Sequence, residues 1–253
     1  MNQKPAIAPG PATVRFTPAE LTGRARTHIV ELADPPCALH HAVVESFRAM
    51  RAAAARAGID LVPYSSFRDF DRQLAIWNGK ARGERELRDA DGQLLDVALL
   101  DEDARATAIL HWSALPGASR HHWGTDFDVK DAAAMPPGYR LQVVPEEFAP
   151  DGVFARLDAW LSEHAADFGF YRPYATWRGG VQPEPWHLSH AAVAQAALEQ
   201  FSAEALHEAL AAAVLEARGA VEKRLPEILA RYVRNVDAPP AAALSAGAGT
   251  RRA

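Results

Sequence analysis

Apolar residues along the chain recur at helical spacing in some stretches and cluster as in strands in others. The spacing predicts helices over residues 39–57, about 70–77, 153–168 and 191–236, with Pro226 starting a final helix at its first turn. Strands are predicted over residues 28–32, 59–64, 127–129, 140–144 and 170–174. Gly58 and Gly169 stand where helix C-caps belong. The pattern predicts one α+β domain with helical flanks.

Composition divides the chain into four segments. Residues 1–26, rich in proline, alanine and threonine, are predicted to form an N-terminal arm, and residues 27–190 the main domain. Residues 191–237 are predicted to be a helical C-terminal segment, and the Ala/Pro/Gly-rich residues 238–253 a disordered tail. The charged residues 79–106 have few periodic apolar positions, so we interpret them as an excursion within the main domain.

Composition and charge exclude several classes of function. The 253 residues are 49% apolar, enough for a core, and 27 basic against 32 acidic residues give a net charge of −5. This balance argues against a broad nucleic-acid surface. The single cysteine, Cys37, excludes an internal disulfide and a thiolate zinc site. Ten histidines leave open a metal site made of imidazoles and carboxylates.

The sequence shows no apolar stretch that could serve as a signal peptide or a membrane span. The N-terminal residues 1–11 are interrupted by prolines, and the longest apolar run, residues 209–215, is far shorter than the ~20 residues that cross a bilayer. We therefore expect a cytoplasmic location, or a periplasmic one if a leader has been removed, and no membrane span.

Two segments combine imidazoles with carboxylates. They read Ser-Arg-His-His-Trp-Gly-Thr-Asp-Phe-Asp at residues 119–128 and Glu-Pro-Trp-His at residues 184–187. A His, Asp, His set leaves one tetrahedral position for water, and a neighbouring glutamate can act as a base, as in catalytic zinc sites. The two segments therefore indicate a candidate zinc centre.

Local backbone geometry decides whether these groups can meet. His121 and Asp128 are seven positions apart, an odd separation that would put them on opposite faces of a regular strand. Gly124 allows a turn or bulge that brings them together. The prolines on both sides of Glu184 favour polyproline geometry, in which Glu184 and His187 point the same way.

The order and spacing of these residues resemble a known family, the zinc D-alanyl-D-alanine carboxypeptidases of the VanY type. This group of LAS-type peptidoglycan peptidases also includes L,D-carboxypeptidases and D-Ala-D-Ala dipeptidases. The motif that carries the resemblance is Ser119-x-His121-x-x-Gly124-x-x-x-Asp128, followed by Glu184-x-Trp186-His187. Upstream, Ser66-Phe67-Arg68 with Gln73 is similar to the family's substrate-binding segment. The resemblance spans roughly residues 39–190 and implies a small antiparallel sheet flanked by helices, of the hedgehog/D,D-peptidase type.

Carried onto this sequence, the resemblance implies site residues and a cofactor. One zinc ion per chain would be held by His121, Asp128 and His187. Glu184 would be the general base, and Arg68 would bind the terminal carboxylate of the substrate or the developing oxyanion. Further substrate-binding residues are implied at Ser66, Gln73, Ser119 and Trp186.

Two rival ligands remain close to the implied ones. Thr125-Asp126 stands where the family frequently has a small apolar pair, and Asp126 shares a strand face with Asp128. Only the family spacing selects Asp128. The Ser-x-His spacing likewise selects His121 over His122.

The resemblance implies a carboxypeptidase that removes a C-terminal D-alanine from peptidoglycan-derived peptides through attack by a metal-activated water. The expected partner is a small peptide or muropeptide with a free carboxylate. With the same zinc centre, a D-Ala-D-Ala dipeptidase, an L,D-carboxypeptidase or an endopeptidase is the alternative. A non-catalytic peptidoglycan-binding module is a third, which the presence of Glu184 disfavours. The chain has no Ser-x-x-Lys, His-Glu-x-x-His or Gly-x-Ser-x-Gly motif.

Overall fold

The computed structural model of the protein describes residues 14–249 and contains two antiparallel sheets surrounded by helices. A two-stranded sheet is formed by β1 (Ile29–Ala33) and β2 (Pro36–His40). A four-stranded sheet has the order β3-β4-β6-β5, formed by β3 (Leu61–Ser65), β4 (Asp126–Asp131), β5 (Phe170–Tyr171) and β6 (His187–His190). The predicted α+β class, with a small antiparallel sheet flanked by helices, is confirmed.

Nine helices surround the sheets within residues 14–249. They are α1 (Pro18–Leu21), α2 (Val44–Arg56), α3 (Phe70–Ala81), α4 (Glu102–Trp112), α5 (Ala155–His164), α6 (Ala191–Gln200), α7 (Ala203–Ala211), α8 (Arg218–Ile228) and α9 (Ala241–Gly249). In this described range, every helix falls short of the length and apolarity that crossing a membrane requires.

The four-stranded sheet has an apolar face and a polar face. Phe127 on β4 is fully buried, and its ring contacts Phe47 of α2 and Phe170 of β5 edge to face, with centroids 5.4 and 5.3 Å apart. Because side chains alternate along a strand, the neighbours Asp126 and Asp128 lie on the opposite face. The core therefore fixes the strand that carries the candidate ligands.

Helix α2 starts later than its apolar spacing predicts. Residues 39–43 were included in the predicted helix, but Leu39 is a fully buried residue of β2, paired with Val30 of β1. Pairing with a distant strand therefore outweighs the local helical spacing. The other end is as predicted, since Gly58 follows the helix with a φ of +74°.

The predicted strand at residues 140–144 is wrong. The backbone N–H groups of Gln142, Val143 and Val144 donate to the Glu147 carboxylate instead of to a neighbouring strand. Hydrogen bonds to one buried carboxylate thus replace the strand pairing that the β-branched residues Val143 and Val144 favour. The predicted strand at 170–174 is shortened to β5, whereas those at 28–32, 59–64 and 127–129 match β1, β3 and β4 closely.

The charged excursion at residues 79–106 contains more helix than its composition indicates. Helix α3 continues to Ala81, and α4 begins at Glu102 after the N-cap Asp101, whose side chain accepts a hydrogen bond from Ala104 N. Capping by an aspartate starts α4 where the apolar spacing gives little signal.

The C-terminal helices differ from the sequence prediction in two places. Pro226 lies inside α8 and does not start a helix; a π-helical turn at Leu229–Val233 follows directly. Within the segment predicted as a disordered tail, residues 241–249 form α9, where Ala243 is fully buried. The high helix propensity of alanine explains why this low-complexity sequence forms a helix.

The N-terminal segment described from residue 14 packs on the domain through Phe16 and Leu21, both buried. The first 13 residues of the predicted arm and the last four of the predicted tail lie outside the described residues.

Candidate active site

The register of the sheet brings two of the predicted ligands together. Asp128 on β4 is directly opposite His187 on β6, so their side chains share one face. On the other side of β4, Ser65 of β3 is also paired with Asp128, next to a register shift after Pro63. Two segments far apart in sequence thus meet on the polar face of the sheet.

A tight turn places His121 beside this pair. His121 lies in a 3-10 turn at Arg120–Trp123, which ends at Gly124 with a φ of +64°. A Cβ at Gly124 would lie 2.7 Å from the backbone N of His40 and closer still to the Ile29 side chain. The predicted role of Gly124 as the residue that lets the chain turn is therefore confirmed.

Three side chains form a group that can hold a metal ion. One ligand atom from each of His121, Asp128 and His187 lies within 4.8 Å of the others, and all three residues are buried. His121 Nε2 is 3.4 Å from Asp128 Oδ2, and His187 Nδ1 is 3.1 Å from Asp128 Oδ1. Two imidazoles and one carboxylate are a donor set that suits zinc.

The orientation of these atoms also fits a metal ion. Asp128 Oδ1 is buried and has no hydrogen-bond partner among residues 14–249, although His187 Nδ1 is only 3.1 Å away. The two atoms are therefore close without the alignment of a hydrogen bond, as two ligands of one ion are.

Each imidazole is held by a bond on its other nitrogen. His121 Nδ1–H donates to the backbone carbonyl of Ser66 at 2.9 Å, which leaves Nε2 with a free lone pair. His187 Nε2–H donates to Asp126 Oδ1 at 3.1 Å, which leaves Nδ1 free. Such outer bonds fix both the ring orientation and the tautomer of a metal ligand.

Asp126, one of the two rival ligands, therefore lies behind the metal-binding group and not in it. Its carboxylate accepts from Arg120 Nε at 2.7 Å and from Thr125 Oγ1, and Arg120 Nη2 donates to Ser189 Oγ at 2.7 Å. Asp126 is fully buried and Arg120 is 3% exposed. Sequence reasoning missed Arg120; the signal was the unusual Asp126, because a buried carboxylate needs a cation.

The other rival, His122, points away from the group. Its Nδ1–H donates to the backbone carbonyl of Arg68, and its Nε2 accepts from Gly117 N at 3.1 Å. Both ring nitrogens are used, so His122 is a structural histidine that ties the turn to the start of α3.

Glu184 lies beside His187, as predicted, but for a different reason. A hydrogen bond from His187 N to Glu184 O at 3.1 Å closes a turn in place of polyproline geometry. The turn sets Glu184 Oε2 3.4 Å from His187 Nδ1. Burial raises the pKa of the Glu184 carboxyl above its ordinary value.

The protonation states show an excess of negative charge at this point. Burial by itself would lower the pKa of His187, but the hydrogen bond to Asp126 and the close carboxylates of Asp128 and Glu184 outweigh it and hold that pKa well above its ordinary value. Burial lowers the pKa of His121 to about 3, so this imidazole is neutral at pH 7. Three carboxylates around one imidazole favour a bound cation.

Arg68 lies at the corner between β3 and α3 and lines the cleft above the group. Its guanidinium donates to Gln73 Oε1 at 2.7 Å and to Ser65 Oγ at 2.9 Å, and lies 3.9 Å from Asp128 Oδ2. Gln73 is fully buried and does not line the cleft; its amide donates to Ala114 O. The implied contact of Gln73 with substrate is thus replaced by support for Arg68.

The cleft has a volume of about 720 Å³ and is also lined by Ser66, Ser119 and Trp186. The Ser66 hydroxyl accepts from Ala38 N at 3.0 Å, so the backbone already engages it. Trp186 is 4% exposed and packs against Phe148. Cleft-lining residues that sequence reasoning missed include Tyr64, Tyr174 and Lys80.

Comparison with known proteins identifies the family. Residues 37–193, more than half of the chain, match the VanY family, described as D-alanyl-D-alanine carboxypeptidase. The chain belongs to this family. The matched range contains both motifs and all of β3, β4, β5 and β6. The VanY resemblance stated from the sequence is therefore confirmed.

Individual relatives and solved structures are similar over parts of the chain. Two uncharacterized proteins of Haemophilus influenzae are 44% and 34% identical, covering 40% and 47% of this chain and 72% and 92% of their own lengths. The structure of VanYB in complex with D-alanine-D-alanine is 22% identical, covers 73% of this chain and 88% of that chain, and has a TM-score of 0.47. The LdcB LD-carboxypeptidase structure is 21% identical over 71% of this chain and 77% of that chain, with a TM-score of 0.41.

Proposed function

We propose that this VanY-family protein is a zinc-dependent carboxypeptidase that removes a C-terminal D-alanine from peptidoglycan-derived peptides. The observation that carries the proposal is the group of His121, Asp128 and His187, with Glu184 Oε2 3.4 Å from a ligand nitrogen. A base next to the metal-binding group is useful to a hydrolase and has no role in a module that only binds.

His121, Asp128 and His187 would supply three ligands of a tetrahedral zinc ion, so the fourth position would be left for water. A zinc ion held by these three side chains would supply a water of pKa ~7 and would polarise the scissile carbonyl. Glu184 Oε2 accepts the proton of the attacking water and then donates it to the leaving amine. Burial favours the protonated form of Glu184, which suits donation of the proton to the leaving amine.

Arg68 accounts for selection of the chain end. Its guanidinium lines the cleft and is oriented by Gln73 and Ser65. A free terminal carboxylate matches the donor geometry of arginine, whereas an internal peptide bond leaves the guanidinium without a charged partner. The cleft therefore favours exopeptidase over endopeptidase activity.

The test is the release of D-alanine from a defined muropeptide that ends in D-Ala-D-Ala, measured by mass spectrometry with zinc-loaded protein. Glu184→Gln should keep about one zinc per chain and lose at least a hundredfold in kcat, since general acid–base catalysis contributes about 10² to 10⁴. Glu163→Gln, on the exposed surface of α5, is the matched control and should keep full activity.

The products also separate the alternatives. Release of the D-Ala-D-Ala dipeptide would identify a dipeptidase, and cleavage only of peptides that end in a single D-alanine would identify an L,D-carboxypeptidase. Amidation of the terminal carboxylate should slow cleavage because Arg68 loses its partner. Full turnover by Glu184→Gln would refute the proposed role of Glu184 as the base.

A further inference from the structure

Basic side chains line one wall of the cleft. On α3, Arg72, Ile76 and Lys80 are spaced four residues apart, so they share one face of the helix, and all three line the cleft. The loop that follows α3 adds Arg85 and Arg88 to the same lining. The basic wall is defined here as Arg72, Lys80, Arg85 and Arg88.

The charge of the cleft opposes the charge of the whole chain. The chain carries a net charge of −5. The cleft lining instead has six basic residues against three acidic ones, Glu86, Asp128 and Glu184. Asp128 belongs to the metal-binding group, Glu184 lies beside it, and Glu86 forms an ion pair with Arg88 at 2.8 Å. The remaining positive charge of the basic wall is therefore uncompensated.

Three members of the basic wall have no acidic partner. Within residues 14–249, no carboxylate lies within ion-pair distance of Arg72, Lys80 or Arg85. Lys80 is half-buried, and burial lowers the pKa of its ammonium to about 8; Glu184 acts to raise that pKa, whereas Arg68 and Arg85 act to lower it. A desolvated cation without a partner is costly, and an anionic ligand relieves that cost.

The spacing of Gln73 and Lys80 along α3 indicates which residue of a substrate would carry such an anion. Gln73 contacts Arg68, and Lys80 follows seven residues later, two turns further along the helix. At 1.5 Å per residue this is about 10 Å. An extended peptide advances ~3.3 Å per residue, so about three residues span the same distance.

We propose that the basic wall binds a second acidic group of the substrate, carried by the third residue from its free C-terminus. This inference rests on the proposed carboxypeptidase function, because Arg68 must hold the terminal carboxylate for the spacing to apply. The substrate class is then an acidic peptide with two carboxylates about 10 Å apart. The residue before the scissile bond needs no charge.

The first test uses the wild-type holoenzyme and two peptides, acetyl-Glu-D-Ala-D-Ala and acetyl-Gln-D-Ala-D-Ala. They differ only in the charge on the third residue from the end. We expect kcat/KM to be about tenfold higher for the Glu peptide, the effect of one charge-assisted contact. The ratio should fall toward one as salt is raised, because the basic wall is open to solvent.

The second test substitutes Lys80, one residue of the basic wall. Lys80→Met should reduce the Glu-to-Gln ratio to near one, whereas Lys223→Met, on the exposed surface of α8, should leave the ratio at its wild-type value. Lys80→Glu should reverse the preference, so that acetyl-Lys-D-Ala-D-Ala becomes the better substrate. A wild-type ratio in both Lys80 variants would overturn the inference.

A binding measurement distinguishes failure of this inference from failure of the proposed function. Calorimetry with the zinc-loaded Glu184→Gln protein measures peptide affinity without turnover, and the Glu peptide should bind about tenfold more tightly. If neither peptide is cleaved but this difference remains, the carboxypeptidase proposal fails and the basic wall stands. If both peptides are cleaved and bound equally, the basic wall fails and the carboxypeptidase stands.

Discussion

His187 shows how a single side chain can be fixed by the groups around it. One ring nitrogen donates to Asp126, so the other faces Asp128 and Glu184. The buried Arg120 in turn holds Asp126. This chain of contacts determines which nitrogen of His187 can bind a metal.

Asp126→Asn should weaken zinc binding by about tenfold to a hundredfold, the usual effect of losing the partner of a metal-ligating histidine. The measurement is the zinc dissociation constant by competition with a chelator. Asp131→Asn is the matched control on the same strand. Its carboxylate accepts only from Asp60 N and Ala133 N, so the change should lower stability and leave zinc affinity alone.

Both variants lose a buried charged hydrogen bond, so a fall in the melting temperature alone does not distinguish them. Equal zinc affinity in Asp126→Asn and wild type would show that Asp126 only supports the fold.

At the scale of elements, the turn between Arg120 and Gly124 joins the metal-binding group to β4. Gly124 has a positive φ, and any Cβ there would collide with the backbone of β2. The turn can therefore be built only with glycine at this position.

Gly124→Ala should lower the free energy of unfolding by at least 2 kcal/mol, because backbone strain of about 1 to 2 kcal/mol adds to the collision with His40. Gly138→Ala is the matched control. Gly138 has a φ of +77° but open space around its Cα, so this variant should lose only the strain. Urea unfolding of both variants gives the difference; equal losses would mean that β2 moves aside.

The local signals of these elements were readable from the sequence, whereas their long-range partners were not. The glycine caps and the helical stripe before Gly169 depend on neighbours in the chain, and they were predicted correctly. The strand β2 and the loop at residues 140–144 depend on β1 and Glu147, which local spacing does not report. Prediction failed where a distant or buried polar partner replaced a local preference.

The same limit applies to the candidate site. The sequence indicated the ligand types through spacing, but the roles of Arg120 and the basic wall follow from side chains that only the folded chain brings together. Domain boundaries at residues 26, 190 and 237 stay predictions.

For the whole molecule, buried histidines make stability depend on pH. Burial lowers the pKa of His40 to about 3 and the pKa values of His122 and His190 to about 4. In the unfolded chain each takes up a proton near pH 6.5. Below that pH the unfolded state binds more protons than the folded state, so the free energy of unfolding falls as the pH falls.

We expect each such histidine to lower the free energy of unfolding of the metal-free protein by up to about 1.4 kcal/mol per pH unit below pH 6.5. His190→Gln should make this slope shallower by about 1 kcal/mol per pH unit. His207→Gln, at an exposed position on α7, should keep the wild-type slope. Urea unfolding at pH 7.5 and 5.5 measures both; identical slopes in all three proteins would exclude a contribution from His190.

The register that sets Asp128 opposite His187 also has a consequence during synthesis of the protein. His121 and Asp128 leave the ribosome early, but His187 emerges only with β6, the strand that lies between β4 and β5. A nascent chain that ends before β6 lacks His187 and therefore has no complete metal-binding group. The metal-binding group is then completed in the same step that completes the four-stranded sheet.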